Sequence, residues 1–135
     1  MQNSYTRKDL MSALEMKEKF ETEYLAYQPD ITSAVQLQYL MKGKKTTIVL
    51  GTWCSDSQLQ VPRFYKVLDQ IGVDEADITV IGVDTMKKAP HGEIDGLHIA
   101  HVPTFIFSAN NKEIGRITES PSDTLENDMV IILSK

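Results

Sequence analysis

The run Ile78-Thr79-Val80-Ile81-Gly82-Val83 is almost continuously apolar and β-branched. That is the pattern of a strand buried in a parallel sheet, and it constrains the fold more than any other stretch. A parallel strand needs a neighbour reached through a crossover, usually a helix. Thr46-Thr47-Ile48-Val49-Leu50 is a second run of the same kind. Between the two, Leu59, Phe64, Val67, Leu68 and Ile71 fall at helical spacing. Pro62 lies inside this helix and should kink it by removing one N–H, and Gly72 ends it. The centre of the chain therefore reads as a βαβ unit.

The handover from strand to helix is Gly51-Thr52-Trp53-Cys54-Ser55-Asp56-Ser57-Gln58, with the helix expected over Gln58 to Gln70. It carries the only cysteine of the chain. The first backbone N–H groups of a helix have no internal partner and the dipole is positive there, so a thiolate is favoured over a thiol. A lone cysteine can also be a small buried hydrophobe. Its place after Trp53 and before a helix favours a redox-type site.

Residues 1–6 are polar and expected to fray. Arg7 to Tyr27 reads as one amphipathic helix, with Leu10, Leu14, Phe20, Tyr24 and Tyr27 near helical spacing. After Gln28-Pro29-Asp30, a second helix is capped by Asp30 or Thr32, has Val35, Leu37, Leu40 and Met41 as candidate buried positions, and stops at Gly43. Gly43-Lys44-Lys45-Thr46 lacks the upstream glycine of a phosphate-binding loop and precedes a strand, so it reads as a helix stop. Asp84 to Gly96, with Pro90, Gly92 and Gly96, is a loop or a short irregular helix. Phe105 to Phe107 reads as a strand, Asn110-Asn111 as a turn, and Glu113 to Ile117 as the returning strand. A last helix is expected to begin with Ser120 as N-cap and Pro121 at its first position, with Leu125, Met129, Ile132 and Leu133 on its apolar face. The fold class is α/β: a sandwich around a central mixed sheet, built from βαβ, a β-hairpin and a closing helix. Residues 1–43 form a helical extension packed on a domain over 44–135.

The 135 residues suit one globular unit with a real core. A net charge of −5 and the lack of a basic patch argue against a nucleic-acid partner. One cysteine rules out an intramolecular disulfide and argues against a disulfide-stapled secreted scaffold. No apolar run approaches the roughly 20 residues of a membrane span, and the N-terminus has no uninterrupted apolar stretch of the signal-peptide kind. The chain is expected to be cytoplasmic and monomeric. Cys54, His91, His98 and His101 are the soft or borderline metal ligands available. None of them shows a metal-site spacing with a second cysteine, so no metal and no cofactor is expected.

Several motifs fall in the order found in thioredoxins. They are Trp53-Cys54-x-x-Ser57 after a strand, Pro62 eight residues beyond the cysteine, the strand end Val83-Asp84, and Val102-Pro103-Thr104 before an aromatic strand. A glycine-containing strand, Ile114-Gly115-Arg116-Ile117, and an amphipathic C-terminal helix complete the set. Over Lys44 to Leu133 the chain resembles the thioredoxin-like family, specifically bacterial members with an extra N-terminal helix. The resemblance implies a thioredoxin-like α/β/α sandwich. It also implies a cis Val102–Pro103 bond in contact with Cys54, with Val102 and Pro103 presenting backbone to an extended substrate.

Two positions depart from the family. Ser57 stands where the dithiol enzymes carry a second cysteine, and Ile48 where they carry a buried carboxylate. What remains is a monothiol site. Cys54 would be the nucleophile of thiol–disulfide exchange with a client protein or a low-molecular-weight thiol or disulfide, and an external thiol would resolve the mixed disulfide. Ser57 either donates to the thiolate or simply favours helix initiation. Asp56 suits a helix N-terminus, yet its charge opposes a nearby thiolate. Trp53 is a half-exposed platform beside the thiol. The rival class is a redox-inactive binding or adaptor module in which Cys54 is a relic.

Overall fold

The computed structural model describes residues 4–84 and 97–134. The expected loop after Asp84, with Pro90, His91 and Gly92, lies outside them. The elements are β1 (Ser4–Tyr5), α1 (Arg7–Ser12), α2 (Lys17–Ala26), α3 (Ile31–Leu40), β2 (Lys45–Leu50), α4 (Ser55–Ile71), β3 (Ile78–Gly82), β4 (Thr104–Ala109), β5 (Lys112–Thr118) and α5 (Leu125–Leu133). The strands form one mixed sheet in the order β1-β3-β2-β4-β5. The central pair β2 and β3 is parallel, in register from Thr46 opposite Ile78 to Leu50 opposite Gly82. This is the βαβ unit that the two apolar runs predict.

Register sorts the core. Ile48 lies opposite both Val80 and Phe105, and Phe105 opposite Ile117, so these residues share a face. That face takes α4 and α5: Phe64 stacks on Phe105 at 4.2 Å between ring centroids, and the Ile132 side chain sits over Gly115. Val49 points the other way and clusters with Val83 and Val102, against Trp53, Cys54 and Ile99. The hairpin turns at Asn110 and Asn111, both at positive φ, as a tight turn between twisted strands requires.

The N-terminal segment departs from its expected form in four ways. Ser4 and Tyr5, expected to fray, pair antiparallel with Ile81 and Val80. The single helix over Arg7–Tyr27 is two helices: Thr6 and Asp9 form a capping box for α1, and Ala13 leaves the helix with an extended backbone. The break has a physical reason. Leu10 and Met16 are both fully buried. Six residues is about one and two-thirds turns, so one straight helix would point them about 120° apart and could not turn both fully inward. The break also turns Leu14 out of the expected apolar face to 94% exposure. In α3, Asp30 is the N-cap, and the inward residues are Ser33, Ala34 and Leu37. Val35, expected inside, is outside, because Ser33 Oγ bonds Asn127 of α5 and fixes which face turns in.

Leu10, Met16, Phe20, Leu37 and Met41 of this segment enter the same apolar cluster as Val61, Phe64 and Tyr65 of α4. A polar clamp adds to this. Arg7 reaches both carboxylate oxygens of Asp69 at 2.6 Å and Glu75 at 2.6 Å, with its guanidinium 4.4 Å from the centre of the Tyr65 ring. Burial would raise the Asp69 carboxyl, but hydrogen bonds from Arg7 and Tyr24 and the charges of Arg7 and Lys66 hold it below the ordinary 3.8. A carboxyl depressed in the folded state stabilises the fold above its ordinary value, and this contribution is lost as pH falls through the lowered one. Thermal melts should therefore lose stability below about pH 4, and Asp69→Asn should remove part of that acid dependence. An unaltered profile in the variant would show that the clamp contributes nothing to stability.

The C-terminal helix begins later than its composition suggests. Its N-cap is Thr124, whose hydroxyl accepts from the Asn127 N–H at 3.1 Å, not Ser120. The Asp128 carboxylate takes the Ser122 and Asp123 N–H groups instead and holds that segment as a loop. Leu125, Met129 and Leu133 are buried as expected.

Candidate functional site

The site is built where β2 hands over to α4. β2 ends at Leu50, and a turn closed by the Cys54 N–H donating to Gly51 O at 2.9 Å brings Cys54 to the N-cap of α4. The helix begins at Ser55, three residues earlier than the apolar spacing alone suggests, and runs with Pro62 inside it to Gly72, whose left-handed backbone (φ 78°) ends it. Cys54 is half-buried, and its Sγ lies 3.5 Å from the Val102 carbonyl oxygen, a thiol donating to a backbone acceptor. The Val102–Pro103 bond is cis. Residues 54 and 102–103, far apart in sequence, thus meet, and Val102 is buried in the cluster that also holds Trp53 and Cys54.

Trp53 is fixed from two sides. Its indole Nε1 donates to Val83 O at 3.0 Å, and its ring lies over Gly51. A Cβ at position 51 would overlap the Trp53 ring, so this close approach requires glycine. Gly51→Ala is expected to push the ring off its bond to Val83. Trp53 is the only tryptophan, so its fluorescence should shift to the red. Unchanged emission would show that the loop backbone yields instead.

Ser57 is fully buried, and its hydroxyl accepts from the Gly51 N–H at 3.2 Å. The structure therefore gives Ser57 the work of pinning the loop to the helix; the hydrogen bonds of its hydroxyl do not include the sulfur. Ile48, at the position where the dithiol enzymes whose motif this chain resembles carry a carboxylate, is fully buried on the far face of β2. Asp56 is exposed in the first turn of α4. Asp56→Asn removes a negative charge near Cys54 while keeping the shape. Alkylation of Cys54 by iodoacetamide at neutral pH should then speed up, on the order of a few-fold at most across a solvated separation. Some helix stability, roughly 0.3–1 kcal/mol, should be lost with the charge. A rate that stays the same or slows would place the carboxylate away from the sulfur.

Several supporting residues lie outside what the sequence pattern indicates. Gln58 Nε2 donates to Thr52 O at 2.8 Å, and the Thr52 hydroxyl donates to Glu15 Oε1 at 2.9 Å. The corner between α1 and α2 is thereby tied to the loop that carries Cys54. On the other side, the Thr104 hydroxyl donates to His101 O at 2.6 Å, and the Glu119 N–H to Pro103 O at 2.7 Å. Polar residues in a loop after a strand are the only signal for these contacts, and they do not name their partners.

His101 Nδ1 faces Glu119 Oε2 at 4.0 Å, and the His98 carbonyl accepts from Arg116. His91 lies outside the described residues. Among the described residues, no group of three or more histidine, cysteine, aspartate or glutamate side chains is placed to hold a metal. Likewise, no described helix is long and apolar enough to cross a membrane.

The mixed sheet with helices packed on it makes this an α/β protein. No protein-family model matches the chain, and no curated protein matches it. Among solved structures, it is similar to a protein of unknown function from Pseudomonas aeruginosa, determined at 1.5 Å. The TM-score is 0.64 over 96% of both chains, at 11% identity. That likeness extends through the N-terminal helices and concerns the fold alone.

Proposed function

We propose that this chain is a thioredoxin-like thiol–disulfide exchange protein with one nucleophilic cysteine, working in the cytoplasm on a protein or small-molecule disulfide. The observation that carries the reading is the position of the half-buried Cys54 sulfur, at the N-cap of α4 and 3.5 Å from the Val102 carbonyl. The fold is read as thioredoxin-like on the same grounds, together with the order β2-α4-β3 followed by the β4-β5 hairpin and α5.

The chemistry balances without a cofactor. The Cys54 thiolate attacks one sulfur of a client disulfide, and the S–S bond breaks as the new one forms. The second client sulfur leaves as a thiolate and takes a proton from water. An external thiolate then attacks the client sulfur of the mixed disulfide; a new S–S bond joins it to the client as the bond to Cys54 breaks, and Cys54 leaves as a thiolate. Trp53 and the edge formed by Val102 and Pro103 flank the sulfur on which both steps occur.

A second reading, a redox-inactive binding or adaptor module, is favoured by one observation: the Ser57 hydroxyl is engaged by the Gly51 N–H. Incubation with 2-hydroxyethyl disulfide followed by intact-mass measurement separates the two. The first reading expects a single adduct on Cys54 that forms faster than in urea-denatured chain and is released by dithiothreitol. An adduct that forms no faster than in the denatured chain leaves the adaptor reading standing.

A further inference from the structure

The helix α3 exposes a face without a charged side chain. Its ten residues, Ile31 to Leu40, include no acid and no base, in a chain with 24% charged residues. One side is covered, since Ser33, Ala34 and Leu37 are buried. The other is apolar and open: Ile31, Val35 and Tyr39 are 72%, 60% and 76% exposed. They recur every four residues, so they line one ridge of the helix. A solvated helix face ordinarily carries charges there.

The charges stand at the two ends instead. Asp30 precedes the helix, with the Glu126 carboxylate accepting its N–H at 2.7 Å. Lys42 follows the helix, exposed. Among the described residues neither Asp30 nor Lys42 has a partner of opposite charge. An acidic start, an uncharged ridge and a basic end form a pattern complementary to itself when one copy is turned end for end. Antiparallel pairing about a two-fold axis would put Val35 against Val35, Ile31 beside Tyr39, and Asp30 within reach of Lys42 at both ends. It would also oppose the two helix dipoles.

From this complementarity we propose that the α3 ridge is a docking surface for a second copy of this chain, forming a two-fold dimer centred on Val35. The dimer departs from the single copy expected from the sequence, and it does not depend on the chemistry of Cys54. A ten-residue helix is about 15 Å long, so one helix per copy falls below the roughly 800 Å² per partner of a stable complex. The association is therefore weak and reversible, in the range of about 10 µM to 1 mM.

Sedimentation under reducing conditions over about this concentration range should show the weight-average mass rising from one chain toward two. Val35→Glu sets two carboxylates face to face on the axis and should hold the mass at one chain. Gln36→Glu, exposed and about 100° round the helix, should leave the rise intact. Both positions are solvent-exposed, and circular dichroism should confirm that both variants fold. As a second readout, Val35→Cys in a Cys54→Ser background leaves one thiol at the axis. On mild oxidation it should cross-link to dimer far more than Gln36→Cys in the same background. A mass of one chain at the highest concentration, a dimer that survives Val35→Glu, or equal cross-linking at both positions overturns the proposal.

Discussion

On the proposed exchange reading, Ser57→Cys is expected to turn a site that exchanges once and waits into one that turns over repeatedly. Positions 54 and 57 stand at the N-cap and in the first turn of α4. Side chains three apart there lie roughly 5–6 Å apart at Cβ, and a disulfide needs Cα atoms about 4.4–6.8 Å apart. The introduced thiol should therefore close a ring with Cys54 with little backbone movement. It would give the mixed disulfide an internal exit: the new thiolate attacks the Cys54 sulfur and releases the client reduced, and dithiothreitol reopens the ring. A thiol held in place acts at high effective concentration, so the gain in insulin reduction should be on the order of 10-fold or more over wild type. Cys54→Ser should show no activity. Ile48, buried where a carboxylate assists proton transfer in the dithiol enzymes that the motif resembles, should keep the variant slower than those enzymes. Replacing the buried hydroxyl also weakens the bond to the Gly51 N–H, so turnover has to be compared per folded molecule. If the ring forms and insulin is still not reduced, the exchange reading gives way to the adaptor one.

Phe64→Ala should have the largest effect on stability. The ring is fully buried, 4.2 Å from Phe105 and 5.9 Å from Phe107 between centroids, at the junction of α4 with β4. Truncation removes the transfer free energy of the ring and leaves a cavity that close-packed neighbours fill poorly, costing about 3–5 kcal/mol. A domain of this size has only about 5–15 kcal/mol of stability, so the urea midpoint should fall by a large fraction with little change in slope. A loss below about 1 kcal/mol would mean that the sheet does not depend on this aromatic stack.

Phe64 was legible because strand and helix periods report burial directly when an element is long and straight. The β2-α4-β3 unit, the hairpin at Asn110-Asn111 and the meeting of Cys54 with Val102 follow from such patterns and from motif order. The break at Ala13 is of another kind. Periodicity assumes one axis, and a change of axis between Leu10 and Met16 leaves no mark in hydrophobic spacing. Val35 departs from its expected burial because the inward face of α3 is set by a hydrogen bond from Ser33 to Asn127, 94 residues on. The true start of α5 was hidden by competition among similar caps: Ser120, Ser122, Asp123 and Thr124 all suit an N-cap, and Asp128 decides among them by binding Ser122 and Asp123. In the site, the motif marks the position of Ser57, but spacing does not name its buried partner, the Gly51 N–H.

The helix that carries Cys54 is enclosed on two sides. Phe64 holds its inner face to the sheet, while its outer face meets α2 through Phe20 on Tyr65, Glu23 on Arg63 and Tyr24 on Asp69. The helix that follows the sulfur is therefore held in place before a partner arrives. On the proposed reading, nearly all the ordering entropy of association then falls on the client. Two disulfides of equal chemical reactivity would be separated by the stiffness of the chain around them, with a segment already extended favoured over a flexible one.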